Sequence, residues 1–250
     1  LGIPTLNMGF GGEGGGGVYH SIYDSFSWYS RFSDTTFTYG RTLAQTVGTL
    51  IMRTANADVL PYQFEQLAET ARGYASELKA LRESEAARIA ETARQLDEGV
   101  FTATNDPWSP LQPPKREALA PNLEFSRLDN SLDSLTRASQ RYERAQAAAI
   151  AQNLASIALG QLNGLLRTAD QEMLLPEGLP RRPWFKHSLY APGLYTGYGV
   201  KTMPGAREAI DGHDWARANT ELVRIAGALD KEAALIHKAA NVLEKKNVVP

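Results

Sequence analysis

The most reactive group of side chains in the sequence follows a run of four glycines, Gly14 to Gly17. Residues 18–24 read Val-Tyr-His-Ser-Ile-Tyr-Asp and bring together two phenols, an imidazole and a carboxylate at the start of a predicted short helix. A neutral imidazole is a common zinc ligand, and a phenol can donate a hydrogen bond to an oxyanion. Glycine loses the most backbone entropy on ordering, so the run itself predicts a loop that moves or contacts a substrate.

The residues alone leave the role of His20 open between a metal ligand and a capping or packing residue. The other histidines, His187, His213 and His237, show no paired spacing such as His-x-x-x-His, so the pattern closes no metal site within the chain. The absence of cysteine excludes disulfides and thiolate metal sites. Metal binding at His20 would therefore need ligands from outside this sequence.

Composition excludes several classes of function. A net charge of -2 over 250 residues gives no electrostatic footprint for nucleic acid. No run of eighteen or more apolar residues is present, so no segment is expected to span a membrane. The glycine-rich stretch over residues 9–14 lacks the strand-turn-helix context of a dinucleotide-binding fingerprint. The hydrophobic fraction of 43% is sufficient for a buried core.

Apolar periodicity predicts a mainly α-helical chain. We expect a short helix within residues 20–32, a helix over 36–55, and a long helix that begins at Pro61 and is ended by Gly99. Five prolines over residues 100–121 predict a surface loop. Helix resumes near Asn122 with an expected break near 139–144.

The end of the chain combines an irregular segment with a final helix. Residues 176–205 are rich in proline, glycine and aromatic side chains, and so many aromatics predict an ordered segment. From the residues alone, Tyr198 in this segment is expected to be a packing residue. The pair Arg181-Arg182 could bind an acidic ligand or form a salt bridge within the loop. A last helix is expected from Asp214 to Lys245.

These motifs, in order, resemble the glutamate carboxypeptidase II family of zinc peptidases, which includes the transferrin receptor. The N-terminal likeness lies in residues 1–3, 18–24, 37–39, 43–45 and 55–61. The C-terminal likeness lies in residues 178–185 (Gly-Leu-Pro-Arg-Arg-Pro-Trp-Phe), 187, 190–192, 197–198 and 204–205. The match is weaker in the helical middle, but ordered motifs at both ends extend it over essentially the whole chain.

The resemblance implies a domain organisation. Residues 1–58 would be the C-terminal segment of an α/β zinc-peptidase domain, and residues 59–250 a helical dimerisation domain whose loop 176–205 returns to the active site. The implied homodimer uses helices within residues 61–98 and 122–175 together with the C-terminal helix. The start at Leu1, with no initiator Met, leads us to expect a fragment or a processed product. The family favours an extracytoplasmic location, periplasmic or secreted.

The resemblance also implies a chemistry. His20 would ligate one of two zinc ions, and Tyr19 would donate its hydroxyl toward the substrate carbonyl oxygen as the tetrahedral intermediate forms. The other ligands and the general-base glutamate would precede Leu1, in the upstream part of the same peptidase domain. The zinc site is then incomplete in this chain, which we expect to be inactive alone toward the peptide substrate of the full-length protein.

Two departures from the family bear on specificity. The glutamate-specific enzyme binds the C-terminal residue of its substrate with a Lys-Tyr pair, which Gly197-Tyr198 replaces here. Its arginine patch is replaced by residues 6–10 and the glycines. We therefore expect Tyr198 to bind a carboxylate, with a broader or more apolar side-chain preference.

Two alternatives remain. The first is a non-catalytic, receptor-like dimeric binding scaffold. The upstream sequence would distinguish it from an enzyme, because only an enzyme needs the remaining zinc ligands and the general-base glutamate. The second is an unrelated helical bundle, which predicts that Tyr19 and His20 are buried within the chain.

Overall fold

The computed structural model describes residues 1–11, 18–110, 112–152 and 158–245. The glycine run lies outside the described residues, so the prediction of a moving loop there stays a prediction. The chain divides into two compact units: Pro4–Tyr62, the N-terminal unit, and Leu1–Ile3 with Gln63–Pro250, the C-terminal unit. The assignment of residues 1–58 and 59–250 to a peptidase domain and a dimerisation domain also stays a prediction.

The N-terminal unit contains helix α1 (Phe26–Phe32) and helix α2 (Thr38–Ala55), close to the predicted ranges. The hydroxyl of Ser25 caps α1 by accepting the N–H of Trp28. The carboxylate of Asp34 accepts the N–H of Gly40 at 2.8 Å, in the first turn of α2, and the hydroxyl of Tyr29 at 3.2 Å. Desolvation raises the pKa of Asp34, but these donors favour the charged form and bring the pKa below its usual value.

Neither helix of this unit buries a residue within the described chain. The apolar periodicity that predicts α2 places Leu50 and Ile51 on one apolar stripe, yet these residues are 36% and 62% exposed. The 3.6-residue period therefore predicted the helix correctly but not a partner for its apolar side.

The C-terminal unit consists of helices, one small hairpin and irregular connecting segments. Its elements are α3 (Phe64–Asp97), α4 (Val100–Ala103), α5 (Ser126–Ala151), α6 (Leu159–Leu166), α7 (Ala169–Glu172), β1 (Tyr190–Pro192), β2 (Val200–Thr202), α8 (Pro204–Asp211) and α9 (Trp215–Glu244). Helices α5 and α9 pack together along their length, α3 packs on α5, and α8 packs on α9. The strands pair antiparallel, with Tyr190 opposite Thr202. The predicted mainly-α fold class is confirmed.

The core of this unit lies on the predicted helix stripes. The buried leucines and isoleucines of the two central helices are Leu128, Leu132, Leu135, Leu222, Ile225, Leu229, Leu235, Ile236 and Leu243. Tyr142 of α5 is fully buried, and its ring meets that of Phe64 edge to face with centroids 5.0 Å apart. Burial raises the pKa of the Tyr142 hydroxyl above its usual range.

Three predictions of element boundaries are wrong. Helix α3 begins at Phe64 rather than Pro61, because the N–H of Tyr62 closes a tight turn onto the carbonyl of Leu60. Helix α5 runs unbroken through residues 139–144, where the buried hydroxyl of Ser139 is satisfied by the carbonyl of Leu135 at 2.8 Å.

Helix α8 was not predicted, since residues 204–205 read as the end of an irregular proline- and glycine-rich segment. Pro204 instead occupies the first turn of α8, where its missing N–H removes no intrahelical bond. Gly205 packs so closely on α9 that a Cβ atom there would lie 2.4 Å from Oε2 of Glu221. The same two residues that suggested a loop therefore begin a closely packed helix.

Candidate functional site

Tyr19 and His20 lie on a hydrogen-bonded turn that precedes α1, not within the helix. The N–H and hydroxyl of Ser21 both donate to the carbonyl of Val18, at 3.0 and 2.8 Å. His20 has a left-handed backbone (φ 62°), an uncommon conformation for a residue with a side chain. The turn presents both rings at the surface, with Tyr19 68% exposed and the ring centroids 4.1 Å apart.

This exposure contradicts the alternative in which the pair is packed inside an unrelated bundle. Among the described residues, no three His, Asp or Glu side chains are arranged to hold a metal ion. Within the described chain, His20 is therefore not part of a group of three such ligands.

The remaining histidines lie in structural contacts of the C-terminal unit. His187 accepts the N–H of Leu189 at Nδ1, and its Nε2 faces a carboxylate oxygen of Asp170 at 3.3 Å. His213 lies between two glutamates, and His237 lies beside Arg141. Desolvation, followed by that arginine, lowers the pKa of His237.

Gly197 and Tyr198 occupy the tip of the β1–β2 hairpin, residues 193–199, which we call the hairpin tip. The tip is closed by the N–H of Gly193 to the carbonyl of Gly199 at 3.0 Å, and by the hydroxyl of Thr196 to the same carbonyl at 2.7 Å. Gly197 is left-handed, with φ 57°. The side chain of Tyr198 is 87% exposed, so the tip presents this phenol to solvent.

The two adjacent arginines face the hairpin and α8. A guanidinium nitrogen of Arg181 donates to the hydroxyl of Tyr195 at 2.8 Å. Arg182 forms a bidentate pair with Glu208 of α8 at 2.7 and 2.9 Å, and its side chain is only 3% exposed. Of the two readings of this Arg-Arg pair, the structure therefore contains the salt bridge for Arg182. Glu208 was missed because α8 itself was missed; a predicted helix over 204–211 would have drawn attention to its inward-facing acid.

A comparison with known families bears on the helical body. Residues 123–237 match the family model described as the transferrin receptor-like dimerisation domain. This segment of the chain is similar to a transferrin receptor-like dimerisation domain. The match covers α5 to most of α9, the same elements that form the core of the C-terminal unit, and the resemblance inferred from the sequence is confirmed.

Several curated relatives align beyond the dimerisation domain. The chain is 27% identical over 245 residues to a probable glutamate carboxypeptidase, LAMP1, of Arabidopsis thaliana, covering 95% of this chain and 30% of that protein. It is 26% identical to a probable glutamate carboxypeptidase of Arthroderma benhamiae, covering 94% of this chain and 28% of the relative. It is 22% identical to the aminopeptidase NAALADL1 of Mus musculus, covering 90% of this chain and 27% of that protein.

The chain thus spans less than a third of the length of these relatives. The shared names identify a peptidase-family segment with a dimerisation domain. No helix in the described residues is both long and apolar enough to cross a membrane.

Proposed function

We propose that this chain supplies one edge of the active site and the dimer interface of a di-zinc exopeptidase. The observation that carries the proposal is the extent of the alignment. Two proteins named probable glutamate carboxypeptidase match 95% and 94% of the chain, which leaves too few residues unmatched to omit the Tyr19-His20 turn, so the match includes this turn as well as the dimerisation domain. The other zinc ligands and the general base would come from upstream sequence, and this chain alone would be inactive.

His20 suits the role of a zinc ligand in its chemistry and its accessibility. The neutral form of an imidazole is the form that binds a metal. The left-handed backbone of His20 also supports a functional role, because uncommon backbone conformations concentrate at functional sites. Bound zinc would act as a Lewis acid on the substrate carbonyl and increase the acidity of a coordinated water.

Tyr19 would stabilise charge on the substrate. Its phenol is exposed next to His20 and can donate a hydrogen bond to a carbonyl oxygen that becomes negative as the peptide bond is attacked. Such a bond is stronger in the transition state than in the ground state, so its loss lowers kcat.

Three variants of the full-length protein test these roles. We expect His20→Ala to lower the zinc content by one ion per chain and to abolish peptidase activity. Tyr19→Phe should leave the zinc content unchanged and lower kcat by about 10² to 10³-fold, as for the loss of one oxyanion donor. Tyr23→Phe is the matched control: Tyr23 lies four residues further along and is also 68% exposed, and we expect no change in either measurement.

Unchanged zinc content and activity in His20→Ala would refute the ligand role. A full-length protein that binds no zinc and cleaves no peptide, yet is dimeric, would instead support the receptor-like scaffold. Equal losses in Tyr19→Phe and Tyr23→Phe would show that the turn, rather than the Tyr19 hydroxyl, is what matters.

Substrate preference would be set in part at the hairpin tip. Tyr198 would bind the C-terminal carboxylate of a peptide, while Gly197 offers no cation for an acidic side chain. We expect kcat/KM to be higher for peptides ending in leucine than for matched peptides ending in glutamate. Gly197→Lys should shift the ratio toward glutamate, and a wild-type preference for glutamate would contradict the proposal.

The dimerisation domain would join two copies of the chain. Apolar side chains remain exposed on its helices, with Ile150 57% and Val223 55% exposed. We expect light scattering to give twice the chain mass at micromolar concentration, and Val223→Asp to shift the protein toward monomer if this face is in the interface. A monomeric wild-type protein would exclude the homodimer.

A further inference from the structure

The carboxylate of Glu208 joins three segments of the C-terminal unit. From its position on α8, Oε2 accepts Nη1 of Arg182 at 2.7 Å, while Oε1 accepts Nη2 at 2.9 Å and also the backbone N–H of Leu194 at 2.8 Å. Leu194 belongs to the hairpin tip, and Arg182 belongs to the preceding turn. One side chain therefore fixes both the turn and the tip to α8.

This contact is mostly removed from water. The side chain of Arg182 is 3% exposed and that of Glu208 is 19% exposed. The Nε atom of Arg182 is buried without a hydrogen-bond partner in the described structure, so Glu208 provides the compensation for this guanidinium. Removing one partner of a buried ion pair leaves an uncompensated charge, so the pair is expected to be held firmly.

The tip has a second polar contact with the preceding turn, between the hydroxyl of Tyr195 and the guanidinium of Arg181 at 2.8 Å, but this contact is exposed. A cavity of about 430 Å³, lined in part by Leu194, Tyr195 and Glu208, lies next to the tip, so close packing does not fix its position. The tip is itself compact, since a Cβ atom at Gly193 would lie 2.3 Å from the Thr196 hydroxyl. We expect a compact tip to shift as a unit when its contact with the Glu208 carboxylate is lost.

We propose that Glu208 and Arg182 are positioning residues that fix the hairpin tip, and with it Gly197 and Tyr198, for binding the C-terminal residue of a peptide. The proposal rests on the proposed function for its link to substrate. The placement of the tip stands on the contacts alone, so the two parts can fail separately.

Amide hydrogen exchange tests the placement. In the full-length protein, Glu208→Gln keeps an oxygen for the Leu194 N–H but loses the charge opposite Arg182. Arg182→Lys keeps the charge but loses the bidentate geometry. We expect exchange at Leu194 and Gly199 to accelerate by about tenfold or more in both variants, since local opening governs exchange in such loops.

The matched control is Lys201→Gln. Lys201 lies in β2, its side chain is 25% exposed, and its ammonium forms a second ion pair of the hairpin, with Asp211 at 2.6 Å rather than with Glu208. We expect exchange at Leu194 to stay unchanged in this variant. Unchanged exchange in Glu208→Gln and Arg182→Lys, or an equal increase in Lys201→Gln, would overturn the proposal whether or not the protein is a peptidase.

Steady-state kinetics tests the link to substrate. We expect Glu208→Gln to raise KM about tenfold with kcat within about twofold, the pattern of lost binding rather than lost chemistry. Combined with Tyr198→Phe, the effect on KM should be less than the product of the single effects, because both changes act through the same phenol. Fully independent effects, or a loss confined to kcat, would overturn the role in substrate binding.

The two failures are distinguishable. An inactive wild-type protein would refute the proposed function, and the exchange measurement would still decide whether the pair places the tip. An active protein whose tip exchange rises while KM does not change would leave the peptidase proposal intact and overturn this one.

Discussion

Glu232 gives the clearest quantitative prediction about the stability of the helical core. It lies on α9, facing two acidic residues of the short helix α7, and is 1% exposed. Its Oε2 atom is buried without a hydrogen-bond partner among the described residues. Burial, followed by repulsion from Glu172 and Asp170, raises the pKa of Glu232 from 4.5 to about 8.

The sign of the pH effect follows from this shift. The folded protein binds the proton of Glu232 more tightly than the unfolded chain, so this group lowers the free energy of unfolding as the pH rises from 4.5 to 8. At 1.36 kcal/mol for each pH unit of difference, the loss is about 3 kcal/mol at pH 7 and about 5 kcal/mol above pH 8. Below pH 4.5 the carboxyl is neutral in both states and contributes no pH dependence.

The substitution Glu232→Gln removes the charge at nearly constant shape. We expect the variant to match the wild type near pH 4.5 and to become progressively more stable than it at higher pH, by about 3 kcal/mol at pH 7. Urea unfolding followed by circular dichroism at pH 5, 7 and 8.5 measures this difference. The amide introduced by Glu232→Gln is polar like the carboxyl group of Glu232 and nearly the same size. The difference in stability between the variant and the wild type therefore reports the ionisation of Glu232.

Glu221 supplies a matched control on the same helix. It is also buried, at 3% exposure, but both of its oxygens accept Nη1 of Arg224, at 2.8 and 3.0 Å. Glu221→Gln should destabilise the protein at pH 7, since it leaves a positive charge poorly compensated. If Glu232→Gln is no more stable than the wild type at pH 8.5, or if both substitutions change stability in the same direction, the reasoning about the unpaired carboxyl is wrong.

Three further predictions concern backbone and core. Leu132→Ala should cost about 2 to 5 kcal/mol in urea unfolding, because the side chain is 1% exposed in the α5 stripe; a loss below 1 kcal/mol would contradict tight packing. Gly178→Ala should be more destabilising than Gly99→Ala. Both glycines have positive φ, but only at Gly178 would a Cβ atom clash, at 2.2 Å from the carbonyl oxygen of Pro183. Equal decreases of Tm in the two variants would refute the steric argument. Asp34→Asn should reduce helicity near neutral pH but have little effect in strong acid. The pKa of Asp34 is lowered in the folded protein, so its ionised carboxylate stabilises the fold at neutral pH and this stabilisation is lost once the group is protonated. An equal loss of helicity at both pH values would contradict this.

The sequence by itself determined the long helices of this protein, though not α8, because the signals for long helices are local. The stripes on α5 and α9 follow the 3.6-residue period, and the left-handed Gly99 lies just after α3 as its position suggested. The composition likewise predicted that residues 176–205 would be ordered without forming a long helix. The motifs around Tyr19-His20 and around Tyr198 were sufficient to recognise the family, because each motif is a short run of neighbouring residues and the motifs keep their order along the chain.

The tertiary structure decided which side chains matter between distant segments. The contacts of Glu208 with Arg182 and Leu194 join residues up to 26 positions apart, and no local pattern records them. The repulsion between Glu232 and α7 likewise depends on how α9 packs on a helix about sixty positions earlier in the chain. Periodicity reports which face of a helix is apolar, but only packing determines whether an acid on that face meets a partner, another acid or a buried space.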